Sequence, residues 1–176
     1  PGSYVQLAAG AAHTCGLKQD GSVSCWGWDE YGQSNPPKGL RLRVTPRDAD
    51  ESSESSESAS EEDEALVITP ASLAVGNYHN CGLKTDGSVS CWGGDAYGQS
   101  TPKPGAYVQL ATGFGHTCGI KQDGSVSCWG LNQDGASTPK PGAYVQVSAG
   151  YGHTCGLKKD GSVSCWGKNT SRQSTP

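Results

Sequence analysis

Cysteine and histidine are the residues of this 176-residue chain whose types and spacing could do chemistry. Four times a histidine stands two residues before a cysteine, and a second cysteine follows after nine intervening residues. His13, Cys15 and Cys25 offer three metal ligands, but zinc sites usually combine closely spaced cysteines with a fourth ligand, and no fourth ligand recurs here. We therefore predict no metal site and one disulfide in each copy: Cys15–Cys25, Cys81–Cys91, Cys118–Cys128 and Cys155–Cys165.

A β-hairpin is the element that must position each cysteine pair. Two short strand-like runs flank Gln19-Asp20-Gly21, and Asp-Gly is a hairpin signal because glycine tolerates the positive φ that such a turn needs. A three-residue loop with Gly21 in the left-handed conformation places Cys15 directly opposite Cys25, whereas a two-residue loop would place Cys15 opposite Trp26. The cysteines therefore favour the three-residue loop and a disulfide across the hairpin.

The whole chain is built from copies of this hairpin motif. A fifteen-residue pattern from His to Trp-Gly occurs four times, and the last three histidines are 37 residues apart. An alternating Tyr-Val-Gln run precedes three of the copies, as at Tyr4, and a Gly-x-x-His link joins it to the hairpin. Units of this size are typical of propeller blades and solenoid repeats. We predict repeat 1 at 1–37, an insertion at 38–68, repeat 2 at 69–105, repeat 3 at 106–142 and repeat 4 at 143–176.

The insertion has three parts. Two segments are predicted as strands: apolar and charged residues alternate in Leu40–Val44, and Ala65–Thr69 is a continuous, mostly apolar run. The tract 48–64 between them carries nine carboxylates and no Lys or Arg. Without the tract the formal charge would change from −4 to about +5. One interpretation is a solvated, self-repelling loop. The other interpretation is phosphorylation of three serines that each stand two residues before a glutamate: Ser52, Ser55 and Ser60. A phosphorylated tract would bind calcium or a basic partner.

Composition indicates an oxidising compartment. Glycine is abundant with 26 residues, there is one Phe and no Met, and a chain so poor in large apolar residues benefits from covalent cross-links. We therefore predict a secreted, extracellular protein. No run of 18 or more apolar residues is present, so we predict no membrane insertion. No signal peptide is evident and the chain begins in mid-pattern at Pro1, which favours a mature segment or an excerpt of a longer protein.

The repeated motif resembles that of a known family. Gly-x-x-His-x-x-x-Leu-x-x-Asp-Gly-x-Val-x-x-Trp-Gly followed by x-x-x-Tyr-Gly-Gln is similar to the repeat of the regulator of chromosome condensation family, over about four-fifths of the chain. The resemblance implies an all-β propeller, typically of seven four-stranded blades. Four repeats would then form a partial, a small or an oligomer-completed propeller. Residues 133–135 and 171–173 depart from Tyr-Gly-Gln, which predicts different loops in repeats 3 and 4.

Binding is a better prediction than catalysis. No nucleophile–base pair, phosphate-binding loop or carboxylate pair is apparent, and a catalytic group is rarely needed four times, so we predict a non-enzyme. The histidines are interpreted as structural groups that bond the backbone, and the tryptophans as packing between blades. Family members that exchange nucleotide or bind chromatin act in reducing compartments, and these repeats lack a strongly basic face, so we predict no nucleic-acid partner.

The loops after each Trp-Gly differ between copies and would lie along one rim. They are either variable solvent loops or a specific binding surface, in which Trp28 is the most conspicuous contact candidate. Asn169 begins an N-glycosylation sequon. Two functions follow as hypotheses: an extracellular module that assembles with copies of itself or into a larger fibre or cell-surface array, or a secreted binder or inhibitor of a protein or glycan. The candidate binding residues are Trp28, Asp29, Glu30, Tyr31, Asp95, Tyr97, Asn132 and Asp134.

Overall fold

The computed structural model describes residues 3–44 and 72–176 as four antiparallel sheets of three strands each. The all-β fold class is thereby confirmed. The acidic tract 48–64 with its three serines, the calcium predicted there and the strand candidate Ala65–Thr69 lie outside the described residues and stay predictions. Within the described part of the chain, no helix is long and apolar enough to cross a membrane.

Each repeat contributes three consecutive strands that pair in chain order. The strands of repeats 1 and 2 are β1 Tyr4–Ala9, β2 His13–Lys18, β3 Val23–Gly27, β4 Leu73–Val75, β5 His79–Leu83 and β6 Val89–Gly93. Those of repeats 3 and 4 are β7 Tyr107–Thr112, β8 His116–Lys121, β9 Val126–Gly130, β10 Tyr144–Ala149, β11 His153–Lys158 and β12 Val163–Gly167.

The predicted hairpin register is confirmed. Cys15 lies opposite Cys25 in the β2–β3 ladder, Gly21 has a φ of 81°, and all four predicted disulfides are formed. The Asp20 carboxylate accepts hydrogen bonds from the Ser22 hydroxyl at 2.6 Å and from the Ser22 amide at 2.9 Å. These bonds hold the pKa of Asp20 below its ordinary value and explain why Ser follows Asp-Gly in every copy.

The first strand of repeat 2 differs from the others, and the predicted strand at Leu40–Val44 is wrong. Leu42 and Arg43 pair only through isolated hydrogen bonds, to Gly21 and to Leu83, and no continuous ladder forms at residues 40–44. The Leu42 amide donates to the Gly21 carbonyl at 2.9 Å, in the same way as the Tyr107 amide donates to the Gly87 carbonyl at 2.8 Å. Leu42 therefore takes the place of the tyrosine that begins β7, and the inserted residues interrupt the first strand of repeat 2.

The interruption falls at a point where the other first strands are irregular. In β7 the register shifts between Tyr107 and Gln109, and β1 and β10 shift at the equivalent place. A β-bulge leaves one residue out of the ladder, so extra residues can enter there without displacing paired neighbours. The chain rejoins the sheet at Leu73, and β4 is only three residues long.

The fourth strand per blade that the resemblance implies is not formed in residues 3–44 and 72–176. Each Trp-Gly is followed instead by a loop of hydrogen-bonded turns, such as those from the Gly32 amide to the Asp29 carbonyl and from the Asn35 amide to the Gly32 carbonyl, both at 3.1 Å. The polar groups of the loop form hydrogen bonds with one another, so no continuous row of free backbone N–H and C=O groups remains to pair with a fourth strand.

The prediction of altered loops is confirmed for repeat 3 and wrong for repeat 4. In repeat 3 a 3-10 turn spans Gln133–Gly135. In repeat 4 the Gln173 side chain accepts a hydrogen bond from the Ser171 amide at 2.8 Å, as the corresponding glutamines of repeats 1 and 2 do in their own loops. Arg172 adopts a φ of 60° where those loops have glycine, so the turn persists without Tyr-Gly.

The apolar cores lie between consecutive repeats rather than within them. One side of each core is the disulfide and an aliphatic residue of one sheet, and the other side is the tryptophan and first strand of the next. The core between repeats 3 and 4 is formed by Cys118, Ile120, Cys128, Tyr144, Val147 and Trp166. Because a three-stranded sheet has too little apolar surface to stand alone, each repeat depends on its neighbours.

Candidate functional site: the joints between repeats and the two open faces

A buried chain of hydrogen bonds, here called the relay, connects consecutive repeats across the contact between their sheets, here called the joint. Nε2 of His79 lies 2.7 Å from the hydroxyl of Thr117 in the next repeat, and that hydroxyl donates to the Gln99 carbonyl at 3.0 Å. Since the hydroxyl has one proton and gives it to the carbonyl, it must accept from His79, which therefore carries its proton on Nε2. The histidine is structural, as predicted, but its partner is a side chain of another repeat rather than the backbone.

The other two joints use the same relay with one change of residue. His116 Nε2 bonds the Thr154 hydroxyl at 2.9 Å, and this hydroxyl donates to the Ala136 carbonyl at 3.1 Å. His13 Nε2 bonds Oδ1 of Asn80 at 2.7 Å, and the Asn80 amide donates onward to a carbonyl of the first loop at 2.7 Å. Three joints thus share one geometry.

Burial keeps His79 and His116 neutral. Desolvation, followed by the nearby His116, lowers the pKa of His79 from 6.5 to about 3. Desolvation and the nearby His153 lower the pKa of His116 to about 4. Nδ1 of His79 is buried with no hydrogen-bond partner among the described residues, so a proton added there would meet no acceptor. Both rings are therefore poor general acids or bases at neutral pH.

Tryptophan completes each joint, and a glutamine adds a further contact at the joints between repeats 1 and 2 and between repeats 3 and 4. The indole N–H of Trp129 donates to the Gln99 carbonyl at 2.9 Å, which confirms the predicted packing of tryptophan between blades. The side chain of Gln109 both accepts from the Val147 amide at 2.9 Å and donates to the Val147 carbonyl at 3.4 Å. Gln109 therefore pairs with the next repeat as a peptide group would in a β-ladder.

The residues that face a preceding repeat in repeats 2 to 4 are exposed in repeat 1. Trp26 is 47% exposed and Leu7 is 63% exposed, whereas their equivalents Trp129 and Leu110 are 4% and 5% exposed. Tyr4 is likewise uncovered. We call this surface, formed by Tyr4, Leu7, Thr14 and Trp26, the head face.

The opposite side of the molecule is uncovered in repeat 4. Val145 is 56% exposed and Val163 is 47% exposed, although their equivalents in the earlier repeats pack against the joint cores. Gln146 is also exposed, and His153 is only partly buried. We call this surface, formed by Val145, Gln146, His153 and Val163, the tail face.

The acidic and amide side chains predicted to bind a partner are largely used inside their own loops. Asp29 accepts a hydrogen bond from the Ser34 amide at 2.8 Å, and Asp95 and Asn132 accept the same bond from the serine five positions on. Asn169 caps the loop of repeat 4 in this way at 2.9 Å, and its glycosylation stays a prediction. The signal that sequence reasoning missed was an Asp or Asn three residues after Trp, followed by Ser five residues later, in all four copies.

The predicted aromatic residues are brought together with others that the sequence did not single out. Trp28 and Tyr31 pack edge to face at 5.4 Å between ring centroids, and each lies 5.7 Å from Tyr78 of the next repeat. The row continues from Tyr78 to Phe114 at 5.0 Å and on to Tyr151 at 4.3 Å. Of the remaining candidates, three are exposed on the same loops outside this row: Glu30, Tyr97 and Asp134.

No metal centre forms within residues 3–44 and 72–176, where no three His, Cys, Asp or Glu side chains are grouped so that they could hold an ion. The thiol sulfurs of all eight cysteines are engaged in disulfides. Nε2 of His13, of His79 and of His116 bonds a side chain of the next repeat. These histidines therefore do not form a ligand set with the cysteines of their own hairpin. The recurring His-x-Cys pattern is therefore an element of the joints.

The chain shares its repeat and its fold with known proteins. The family described as regulator of chromosome condensation (RCC1) repeat matches at residues 4–33, 71–99, 107–136 and 144–173, which together are more than half of the chain. No curated protein matches the sequence as a whole.

Solved structures align with nearly all of the chain. The CRINKLY WD40 ectodomain of the Arabidopsis thaliana receptor kinase ACR4 is 27% identical, with a TM-score of 0.66 over 94% of this chain and 50% of that one. The ectodomain of the Physcomitrella patens receptor kinase CR4 is 28% identical, with a TM-score of 0.63 over 93% of this chain and 40% of that one. Yeast RCC1 (Prp20), solved with Kap60, is 18% identical and shares the fold, with a TM-score of 0.67 over 94% of this chain and 44% of that one. The chain thus spans half or less of the length of these structures.

Proposed function

Because the chain belongs to the regulator of chromosome condensation (RCC1) repeat family, whose β-propeller fold it shares, we propose that it is a non-enzymatic extracellular module for protein association. Its proposed partners are proteins, in the first place copies of itself, as in a fibre or cell-surface array. Nucleic acid is not among the proposed partners, since the repeats lack a strongly basic face.

The observation that supports this proposal is that one joint recurs between the repeats. A histidine relay, an indole hydrogen bond to a loop carbonyl and an apolar core are found at all three joints. A repeat of this sequence is therefore itself a surface that binds another repeat.

Two observations support an extracellular setting. Every repeat carries a disulfide, and disulfides persist in oxidising compartments. Two of the similar structures are ectodomains of receptor kinases. A catalytic role has no support from His79 and His116, whose lowered pKa values leave them neutral and whose Nε2 protons bond the neighbouring repeats.

A second candidate function rests on the aromatic row that begins at Trp28 and Tyr31. Exposed aromatic rings on one rim are suited to binding a protein or a glycan, so the module could also serve as a secreted binder or inhibitor. Tyr31 is 50% exposed and Tyr151 is 63% exposed. The row and the joints between repeats involve different residues, so variants can separate the two functions.

Light scattering of the purified, oxidised chain after size exclusion tests the main proposal. We expect species heavier than the 18.2 kDa single chain, with a share that grows as the protein concentration rises through the micromolar range. A mass of one chain at every concentration would contradict self-association and would leave the aromatic rim as the better candidate.

A further inference from the structure

We infer that the aromatic row contains a binding site for a quaternary ammonium group, the trimethylated cation that choline carries. The site is the corner formed by the rings of Trp28, Tyr31 and Tyr78 at the joint between repeats 1 and 2. This inference goes beyond the proposed self-association, does not depend on it, and specifies a ligand for the aromatic row.

The three rings stand at steep angles to one another and at nearly equal distances. Trp28 and Tyr31 have centroids 5.4 Å apart and planes at 86°, and Tyr31 and Tyr78 are 5.7 Å apart at 86°. Trp28 and Tyr78 are 5.7 Å apart at 62°. Because no two centroids are farther apart than this, one cation above the corner lies within about 6 Å of all three rings, the range of a cation–π contact. Trp28 is 36% exposed and Tyr31 is 50% exposed, so solvent and ligands reach the corner.

Two of the three rings occur at this joint and at no equivalent place in the other repeats. The position of Trp28 is taken elsewhere by Gly94, Leu131 and Lys168, and that of Tyr78 by Ala12, Gly115 and Gly152. The joint between repeats 2 and 3 forms with glycine at both positions, so the packing of repeats requires neither ring. Trp28 and Tyr78 are therefore available for a ligand.

The backbone that carries the rings is held in place by hydrogen bonds. The Trp28 amide donates to the Ala12 carbonyl at 2.9 Å, and the Tyr31 amide donates to the side chain of Gln33 at 2.8 Å. Gln33 is fully buried, and Tyr78 directly precedes the relay histidine of its repeat. A site that is ordered before the ligand arrives loses little conformational freedom on binding.

The surroundings of the corner favour a positive charge. Asp29 and Glu30 lie between Trp28 and Tyr31 in the sequence, and residues 28–35 include no Lys or Arg. Glu30 is exposed. These carboxylates attract a cation to the corner, and the face of each ring is the negative part of its quadrupole.

The same rim already holds one cation of its own chain. Nζ of Lys168 lies 5.9 Å from the ring centroid of Tyr151. Within residues 3–44 and 72–176, no Lys or Arg makes such a contact with Trp28, Tyr31 or Tyr78. Since Lys168 stands at the position of Trp28, repeat 4 supplies a cation where repeat 1 supplies a further ring, and the cation of the corner must come from a ligand.

A quaternary ammonium fits this corner better than the primary ammonium of a lysine. A primary ammonium is strongly hydrated and has three protons to donate. The two carboxylate oxygens of Asp29 already accept hydrogen bonds from the Ser34 amide and the Asn35 side chain. A quaternary ammonium donates no hydrogen bond, so it exchanges its water for ring faces without leaving a donor unpaired.

Isothermal titration of the full, oxidised chain with choline tests the inference. Two probes are compared with it: the neutral carbon isostere, in which a tert-butyl group replaces the trimethylammonium group, and ethanolamine, which carries a primary ammonium. We expect choline to bind at least about tenfold more tightly than either probe, because only choline combines positive charge with weak hydration.

Variants locate the site. Trp28→Ala and Tyr78→Ala should each weaken choline binding about tenfold or more, whereas Trp28→Phe, which keeps a ring, should lose less. Glu30→Gln should weaken the binding of choline but not that of the neutral isostere. Tyr97→Ala is the matched control, because Tyr97 is 51% exposed and takes the position of Tyr31 in repeat 2 without the other two rings. Circular dichroism and thermal melting establish that each variant is folded.

Three results would overturn the inference: no binding of choline by the wild type, equal affinity for choline and either probe, or equal losses in Tyr97→Ala and Trp28→Ala. Sedimentation velocity on the same samples separates this outcome from that of the proposed function. A chain that binds choline as a monomer contradicts self-association and leaves the site standing, whereas a chain that assembles without binding choline contradicts the site alone.

Discussion

Mild acid should destabilise the fold through the relay histidines. Burial lowers the pKa of His79 to about 3 and of His116 to about 4, whereas both titrate near 6.5 in the unfolded chain. Below pH 6.5 the unfolded state therefore binds more protons than the folded state, and stability falls as the pH falls. The loss continues until the pH reaches the folded pKa values, and it is absent above about pH 7.

The expected size of the effect follows from these two pKa shifts. Between pH 7.5 and pH 5.0, protonation of the unfolded state at each site lowers the free energy of unfolding by about 2 kcal/mol, so His79 and His116 together account for about 4 kcal/mol. This is a large part of the 5–15 kcal/mol that is typical of a whole domain. The exposed Asp carboxyls of the hairpin turns, whose pKa values are lowered, titrate at more acidic pH and do not contribute in this window.

Guanidinium denaturation at pH 7.5 and pH 5.0, without reductant, measures this difference. A variant with His79→Gln and His116→Gln keeps an amide donor for each threonine and removes both titrations. We expect the variant to be less stable than the wild type at pH 7.5 but to lose about 4 kcal/mol less on acidification. If the wild type and the variant lost the same stability between the two pH values, the assignment of acid sensitivity to the joints would be refuted.

Three further predictions concern the same architecture. Trp129→Ala should lower the free energy of unfolding by about 3–5 kcal/mol because it leaves a cavity in a buried joint. Trp26→Ala should lower it far less, since Trp26 is 47% exposed. Denaturation midpoints compare the two variants, and equal losses would contradict the difference in exposure. Arg172→Gly should raise stability by about 1 kcal/mol, since Arg172 holds a φ of 60° that glycine adopts without strain; thermal melting would contradict this if the midpoint fell. Replacement of Cys118 and Cys128 by alanine removes a disulfide that spans ten positions and should lower the free energy of unfolding by about 2–3 kcal/mol. An unchanged denaturation midpoint would show that the disulfide is dispensable.

The hairpin was predictable because several local signals agree on one register. Side chains alternate along a strand, Asp-Gly marks the turn, and only a three-residue loop brings Cys15 opposite Cys25. The all-β class followed from the strand and hairpin signals of the four copies, and the propeller followed from the resemblance of the repeat to a known family. These features are determined within about fifteen residues, so a sequence pattern contains all of the information they need.

The joints were not predictable to the same depth because they depend on how one sheet sits against the next. The partner of His79 is Thr117, which is 38 residues away, and nothing local links the two. A weak signal existed, since a Thr or Asn follows the histidine in every copy. The same holds for Leu42, whose role as a substitute for tyrosine depends on where the insertion interrupts a strand rather than on its neighbours in sequence.

The loop residues show why variation between copies is an incomplete guide to function. Asp29, Asp95, Asn132 and Asn169 differ in charge, yet each accepts the same hydrogen bond from a serine amide, because carboxylate and amide oxygens are equivalent acceptors there. The differences between copies at this position therefore leave the hydrogen bond unchanged.

Electron microscopy of the purified, oxidised chain tests the central claim most directly, because it reports assembly and the relation between copies together. We expect particles that contain two or more copies of the chain. Single copies of four repeats at micromolar concentration would contradict the proposed self-association.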